Sequence, residues 1–277
     1  MSHQCFDVTI DRQIAHIVLN RPEKRNSMIP AFWDELPAII EDIDNHARAR
    51  VIVISSTGPH FSSGIDTAMF SDSSITADAQ ARAETLRQHG ARFYDTVQRM
   101  QRSFSVLESC RIPGLAAIQG GCIGGGVDLV TACDIRICSS EAYFTIQEIN
   151  VGIVADVGTL QRIPHLLPQG LIRELAYTGR KFPAAEALRY GFVNRVEDTH
   201  ADALAAAEVM AREICAKSPL AITGIKQVLN YGREHSIADG LEYVAVWNAG
   251  MLQGEDMKEA VKAQMARLSA TYANLKA

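Results

Sequence analysis

Residues 119–162 read QGGCIGGGVDLVTACDIRICSSEAYFTIQEINVGIVADVGTLQR. The stretch opens on a glycine cluster and continues in a short apolar helix pattern over Val127–Cys133. It then places three carboxylates, Asp128, Glu148 and Asp156, in otherwise apolar surroundings. Glycine has no Cβ, so the Gly124-Gly125-Gly126 run can bring bare backbone N–H groups up to a ligand. The helix pattern behind it puts those groups at the positive end of a helix dipole, an arrangement that suits an oxyanion. A glycine run by itself is equally the mark of a flexible turn. The carboxylate directly behind it, and a second small-residue turn upstream at 61–66 (FSSGID), favour the ligand site.

Outward from this segment the chain alternates strands and helices. Phe6–Ile10 and Ile14–Leu19 read as strands, followed by a charged loop, Arg21-Pro22-Glu23-Lys24-Arg25-Asn26. Ser27 is placed to cap a helix with Pro30 in its first turn, running to about Asn45 with a kink expected at Pro37. Val51–Ser55 is a β-branched run typical of a strand buried on both faces. It leads into the turn holding Ser63, Gly64, Ile65 and Asp66, where backbone N–H groups can face a ligand; His60 reads as a structural loop residue. A helix is expected over 81–110, with Phe93, Val97, Met100, Phe104 and Leu107 on its core face and a break at Gly90. Leu115–Ile118, Asp134–Cys138 and Tyr143–Ile146 read as strands, as does Gly191–Val193, with helices at 158–166, 170–178 and 183–189. The unit is strand, strand, helix, and no GxGxxG follows a strand. From residue 200 the pattern is helical only, over 201–216, 219–231, 237–252 and 255–275. The expected organisation is therefore a mixed α/β core over 1–199 and a helical C-terminal part over 200–277.

The 277 residues carry a net charge of −5 and are 47% hydrophobic, which fits a globular chain with a sizeable core and argues against a nucleic-acid binder. The six cysteines (5, 110, 122, 133, 138 and 215) form no CxxC pair and lie mostly in apolar runs. They read as reduced core residues, and no zinc site is expected. No apolar run approaches a membrane span, and neither terminus reads as a targeting signal, so the expected location is the cytoplasm.

The LNRPEKRNSM opening, the FSSGID turn, the IQGGCIGGGVDLVTACDIRI block and the helical C-terminus together resemble the enoyl-CoA hydratase/isomerase family, the crotonase fold. The block with QEINVGIVADVGTLQRIP behind it is similar to the Δ3,5-Δ2,4-dienoyl-CoA isomerase branch. The resemblance implies an acyl-CoA thioester substrate whose carbonyl oxygen meets two backbone N–H groups, here those of Ile65 and Gly125. Gly124, Ser63, Gly64 and Asp66 would lie around the thioester, and Arg21, Lys24 and Arg25 beside the nucleotide of coenzyme A. It further implies a homo-oligomer, a trimer or dimer of trimers, with the C-terminal helices packed between subunits. Coenzyme A enters as part of the substrate, and no separate cofactor or metal is expected.

Hydratases of the family place glutamates at the positions of Asp128 and Glu148 and a small neutral residue at that of Asp156. The shorter Asp128 and the third acid depart from that pattern and resemble the dienoyl-CoA isomerases. The implied reaction takes a proton from C2, assigned to Glu148, and delivers one to C6, assigned to Asp156, with Asp128 tuning both. Two alternatives stay open at this point. One is a 2-enoyl-CoA hydratase in which Asp128 and Glu148 hold a water; the other is a non-catalytic acyl-CoA-binding protein of the same fold. Asp128 and Asp156 can each also serve as helix caps, and Glu148 as a loop residue.

Overall fold

The computed structural model describes residues 3–66, 79–251 and 254–277. In chain order the strands are β1 (Phe6–Asp11), β2 (Ile14–Leu19), β3 (Val51–Ser56), β4 (Gly114–Ile118), β5 (Gly121–Ile123), β6 (Ile135–Ser139), β7 (Tyr143–Thr145), β8 (Phe182–Pro183) and β9 (Arg195–Glu197). The helices are α1 (Pro30–Asn45), α2 (Ala79–Ser109), α3 (Gly125–Thr131), α4 (Thr159–Arg162), α5 (Gln169–Thr178), α6 (Ala184–Arg189), α7 (His200–Cys215), α8 (Pro219–Gly232), α9 (Ile237–Met251) and α10 (Gly254–Ala266). Six strands make one sheet in the order β1-β2-β3-β4-β6-β9, parallel except for the β1–β2 hairpin. The other three make a small sheet, β5-β7-β8.

The period of two in the parallel strands divides the core. Ile52, Ile54, Ala116 and Ile118 join Phe32, Leu36 and Ile40 of α1 and Phe104 and Leu107 of α2. Val51, Val53, Leu115 and Ala117 face the other way, onto Ala203, Ala207 and Ala211 of α7. Three alanines at i, i+4 and i+8 leave only methyl groups between helix and sheet, so α7 closes tightly on it.

Several local expectations are corrected. Pro37 lies inside an unbroken α1. It lacks the N–H that would bond the Trp33 carbonyl, and the Ser103 hydroxyl of α2 donates to that carbonyl instead, at 2.9 Å. Ser27 caps no helix; its hydroxyl donates to Asp66 at 2.9 Å, and Ile29 is the residue before α1. α2 runs through Gly90 without a break, and Phe93 is 57% exposed. Phe192 and Val193 are buried but form no strand, which comes instead at β9. The short β5 inside the glycine cluster was not expected. The final helix ends at Ala266, next to Arg267 with its left-handed φ of 54°, so the helical expectation to 275 fails. Leu252, expected at the end of a helix, lies outside the described residues.

Five of the six cysteines are buried and all are free thiols. No helix among the described residues is long and apolar enough to cross a membrane.

Candidate active site

Two turns leave the sheet side by side, after β3 and after β4, and are stitched to each other. Ser62 forms a parallel bridge with Cys122 of β5: its N–H donates to Gly121 O at 3.2 Å, and its carbonyl takes the Ile123 N–H at 3.0 Å. Met28 bridges Ile65 on the other side, with Met28 N–H on Gly64 O at 2.8 Å and Asp66 N–H on Met28 O at 3.0 Å. In a parallel bridge the central residue turns its own N–H away from the partner. The Ile65 N–H therefore points off Met28, and it meets no acceptor among the described residues. Gly64 makes the close approach possible. Its φ is +83°, and a Cβ there would lie 2.7 Å from Ile123 O and 3.1 Å from Gly125 N. Gly125 is the first residue of α3, where a helix has no internal partner for its N–H. Gly124, with φ +52°, spends its own N–H on Thr145 O at 2.9 Å. Two backbone donors, Ile65 and Gly125, are thus left on either side of one glycine contact.

The Thr145 bond also explains the interval of twenty residues between the first two acids. Strand β7 returns the chain alongside β5, and Glu148 follows directly in a short 3-10 turn, Glu148–Val151. A Cβ on Gly124 would lie 3.2 Å from Glu148 Oε1. Glu148 is only 9% exposed, and its Oε2 is buried with no hydrogen-bond partner among the described residues. It is not a surface loop residue. Burial, and then the negative Asp128 and Asp156, push its carboxyl up to about 7.

Asp128, in the first turn of α3, is 1% exposed. Its Oδ1 accepts the backbone N–H of Thr159 at 2.6 Å. It therefore caps the start of α4, the role that sequence reading had offered to Asp156. Burial raises its carboxyl to about 6, with Thr159 and the Arg162 guanidinium pulling the other way. Asp156 is partly buried, and burial raises its carboxyl as well. The residue before α4 is Gly158, and no side chain next to it caps the helix. All three acids are thus brought together, and all three favour their protonated forms more than carboxyls in water do.

The charged loop after β2 is locked onto the first turn. Asn26 is buried; its side-chain amide donates to Thr57 O at 2.9 Å and His60 O at 3.0 Å, and its backbone carbonyl accepts the Ser62 hydroxyl at 2.9 Å. The Ser63 N–H donates to Arg25 O at 2.9 Å. Arg21 is spent within the loop, its guanidinium on Ser27 O at 2.7 Å. Lys24 and Arg25 are exposed, with no ion pair among the described residues. His60 Nδ1 accepts the Gly121 N–H at 3.0 Å, a structural role. Sequence reasoning gave no role to Met28, Thr159 or Arg162, although each lies inside one of the quoted blocks, nor to Gln101, which lies in none of them.

The chain matches the family described as enoyl-CoA hydratase/isomerase over residues 9–274. It belongs to that family. It is 43% identical over 264 residues to the human mitochondrial Δ(3,5)-Δ(2,4)-dienoyl-CoA isomerase, covering 95% of this chain and 79% of the relative. It is 41% identical over 269 residues to the peroxisomal enzyme of that name from Arabidopsis thaliana, covering 96% of this chain and 94% of the relative. Among solved structures it resembles an enoyl-CoA hydratase from Bacillus anthracis, with a TM-score of 0.85, 28% identity and 97% of this chain covered against 99% of that one. A second is Pseudomonas aeruginosa DspI, with a TM-score of 0.87, 27% identity and coverage of 99% and 98%. These structures bear out the crotonase-like α/β fold. The cytoplasmic expectation is overturned, because the similar isomerases are named mitochondrial or peroxisomal. Composition and reduced cysteines suit any of these compartments and do not choose among them.

Proposed function

We propose that the protein is an isomerase that converts a 3,5-dienoyl-CoA to the conjugated 2,4-dienoyl-CoA. The observation that carries this reading is the bond from Thr159 N–H to Asp128. A hydratase needs two carboxyls free to act on one water. Here one oxygen of Asp128 is already committed, and the acids left to act are Glu148 and Asp156, on separate turns. The isomerase names of relatives at 41–43% identity support the same reading.

In this account the thioester carbonyl oxygen accepts from Ile65 and Gly125. Glu148, ionised, takes a proton from C2. The electron pair spreads from C2 through the diene and onto the carbonyl oxygen, where the two N–H groups stabilise it; one such donor is worth roughly a factor of 10²–10³ in kcat. Asp156, protonated, gives its proton to C6, and the double bonds settle at C2–C3 and C4–C5. One proton leaves carbon and one arrives, so no change of oxidation state is involved. The raised carboxyls suit this work, because each must hold or release a proton near neutrality. Ser63, Gly64, Asp66 and Gly124 shape the thioester turn, and Lys24 and Arg25 meet the phosphates of coenzyme A. Arg21 holds that loop in shape.

The helical C-terminal part exposes Ile237 (85%), Leu241 (65%) and Met265 (83%), a surface suited to packing against other copies in a trimer or dimer of trimers.

Replacement of Asp156 by Asn tests the reading. Isomerisation is expected to fall at least a hundredfold, the scale of a lost general acid. A variant that keeps more than a tenth of the parent rate would rule Asp156 out as the proton donor.

A further inference from the structure

Asp156 is aimed almost entirely by its backbone. Its own N–H donates to its carboxylate, and among the described residues no side chain bonds to it. What is held is the peptide chain around it, at successive residues. The Gln101 side-chain amide donates to Asp156 O at 2.7 Å. Arg162 Nη1 donates to Val157 O at 3.4 Å. Gly158 adopts φ +128°, and the Arg162 guanidinium packs so closely on it that a Cβ there would lie 1.7 Å from Nη1. Thr159 N–H is held by Asp128.

The far side of this clamp is a single face of α2. Arg162 Nη2 donates to Ser105 Oγ at 3.1 Å, and Nε to Glu108 Oε2 at 3.1 Å. Glu108 is held in turn by Arg233, whose Nη1 donates to Oε1 at 2.6 Å. Gln101, Ser105 and Glu108 stand at i, i+4 and i+7, one row on a helix. The adjacent row, Met100, Phe104 and Leu107, is buried in the core and fixes the rotation of α2. A polar row beside an apolar one on the same helix ordinarily faces water. This one faces the turn that carries an acid.

We infer that the polar row of α2, Gln101 directly and Ser105 and Glu108 through Arg162, is the device that positions Asp156 for proton delivery at C6. The inference rests on the isomerase reading of Asp156. Gln101 is a positioning residue: it touches the Asp156 carbonyl and acts through where that places the carboxyl. A displacement of about 1 Å of a reacting group costs on the order of a hundredfold in rate.

The test compares Gln101→Met, Arg162→Lys and Asp156→Asn, each assayed in D2O with a 3,5-dienoyl-CoA. Two quantities are followed: appearance of the conjugated product, and uptake of deuterium at C2 of recovered substrate. Met keeps the length of Gln but has no donor; Lys keeps the charge of Arg but cannot span Val157, Ser105 and Glu108 together. Both variants are expected to lower kcat ten- to a hundredfold, with KM within about twofold and C2 exchange within about threefold of the parent. Combining Gln101→Met with Asp156→Asn is expected to cost no more than Asp156→Asn alone. Parent-like kcat in Gln101→Met while Asp156→Asn is inactive would overturn the positioning role and leave the isomerase reading intact. Loss of C2 exchange together with product formation would also overturn it, as a general collapse of the site. An active Asp156→Asn would overturn both, and it is read independently of Gln101.

Discussion

The carboxylate of Asp128 accepts the backbone N–H of Thr159 at 2.6 Å, across 31 residues of sequence. One acid thereby fastens the start of α4 and sets the turn on which another acid, Asp156, is carried. It also puts a buried negative charge near Glu148. Neutralising that charge without breaking the bond separates the two roles, since an Asn in place of Asp128 keeps an oxygen for Thr159. Asp128→Asn is expected to stay folded and to shift the acidic limb of the kcat/KM profile to lower pH. The sign follows from Glu148 acting as a base: removal of a neighbouring negative charge lowers its pKa, so it ionises earlier as pH rises. Asp128→Ala removes the acceptor too, and should cost on the order of 1–3 kcal/mol in urea unfolding. An unmoved acid limb in Asp128→Asn would remove the electrostatic link.

Glu148 makes the site unstable in a pH-dependent way. Its folded-state pKa, about 7, lies above the ordinary glutamate value of 4.5, so the folded protein binds the extra proton between those values. The stability this contributes is full below about pH 4.5 and is lost as pH rises through 7. Glu148→Gln cannot ionise. It is expected to unfold at a higher temperature than the parent at pH 8 and at the same temperature at pH 4, with activity abolished. Equal melting at both pH values would show that Glu148 carries no strained charge.

Gly64→Ala is expected to disable the oxyanion site without unfolding the protein. The added methyl would meet Ile123 O at 2.7 Å and Gly125 N at 3.1 Å, at a φ of +83° that alanine disfavours. The two turns must part, and the two donors with them. A drop in kcat of at least a hundredfold is expected, with coenzyme A ester binding retained in equilibrium dialysis. Parent-like kcat would mean that the turns do not supply the donors.

Lys24 and Arg25 should matter to affinity only. Alanine at each is expected to raise KM for a CoA thioester several-fold, more at low salt than at high salt, with kcat unchanged. The KM of the matching pantetheine thioester, which lacks the nucleotide phosphates, should not move. An equal effect on both substrates would place these residues elsewhere than at the phosphates.

The architecture was legible where pattern is local. The runs at β2, β3 and β4, the apolar stripe of α1 and the two glycine turns each carry their own period or punctuation. Three carboxylates at 128, 148 and 156 were legible as candidates for the same reason. Their division of labour was not. Asp128 and Asp156 both stand where a cap is plausible, and only the register of α3 against α4 decides which carboxylate reaches Thr159. The burial of Glu148 depends on β7 returning beside β5, a contact between distant segments. Pro37 reads as a kink because the Ser103 hydroxyl that relieves it lies 70 positions beyond its partner Trp33. Gln101 reads as one more polar residue on a surface helix until the chain around Asp156 is laid against it.

The measurement that bears most directly on the central claim is the ultraviolet absorbance of the conjugated thioester, followed as the protein is added to a 3,5-dienoyl-CoA. Hydration of a 2-enoyl-CoA is run beside it. The account predicts a rise in absorbance with the first substrate, abolished in Asp156→Asn, and little change with the second. Hydration without isomerisation would contradict it, and would mean that Asp128 and Glu148 hold a water after all.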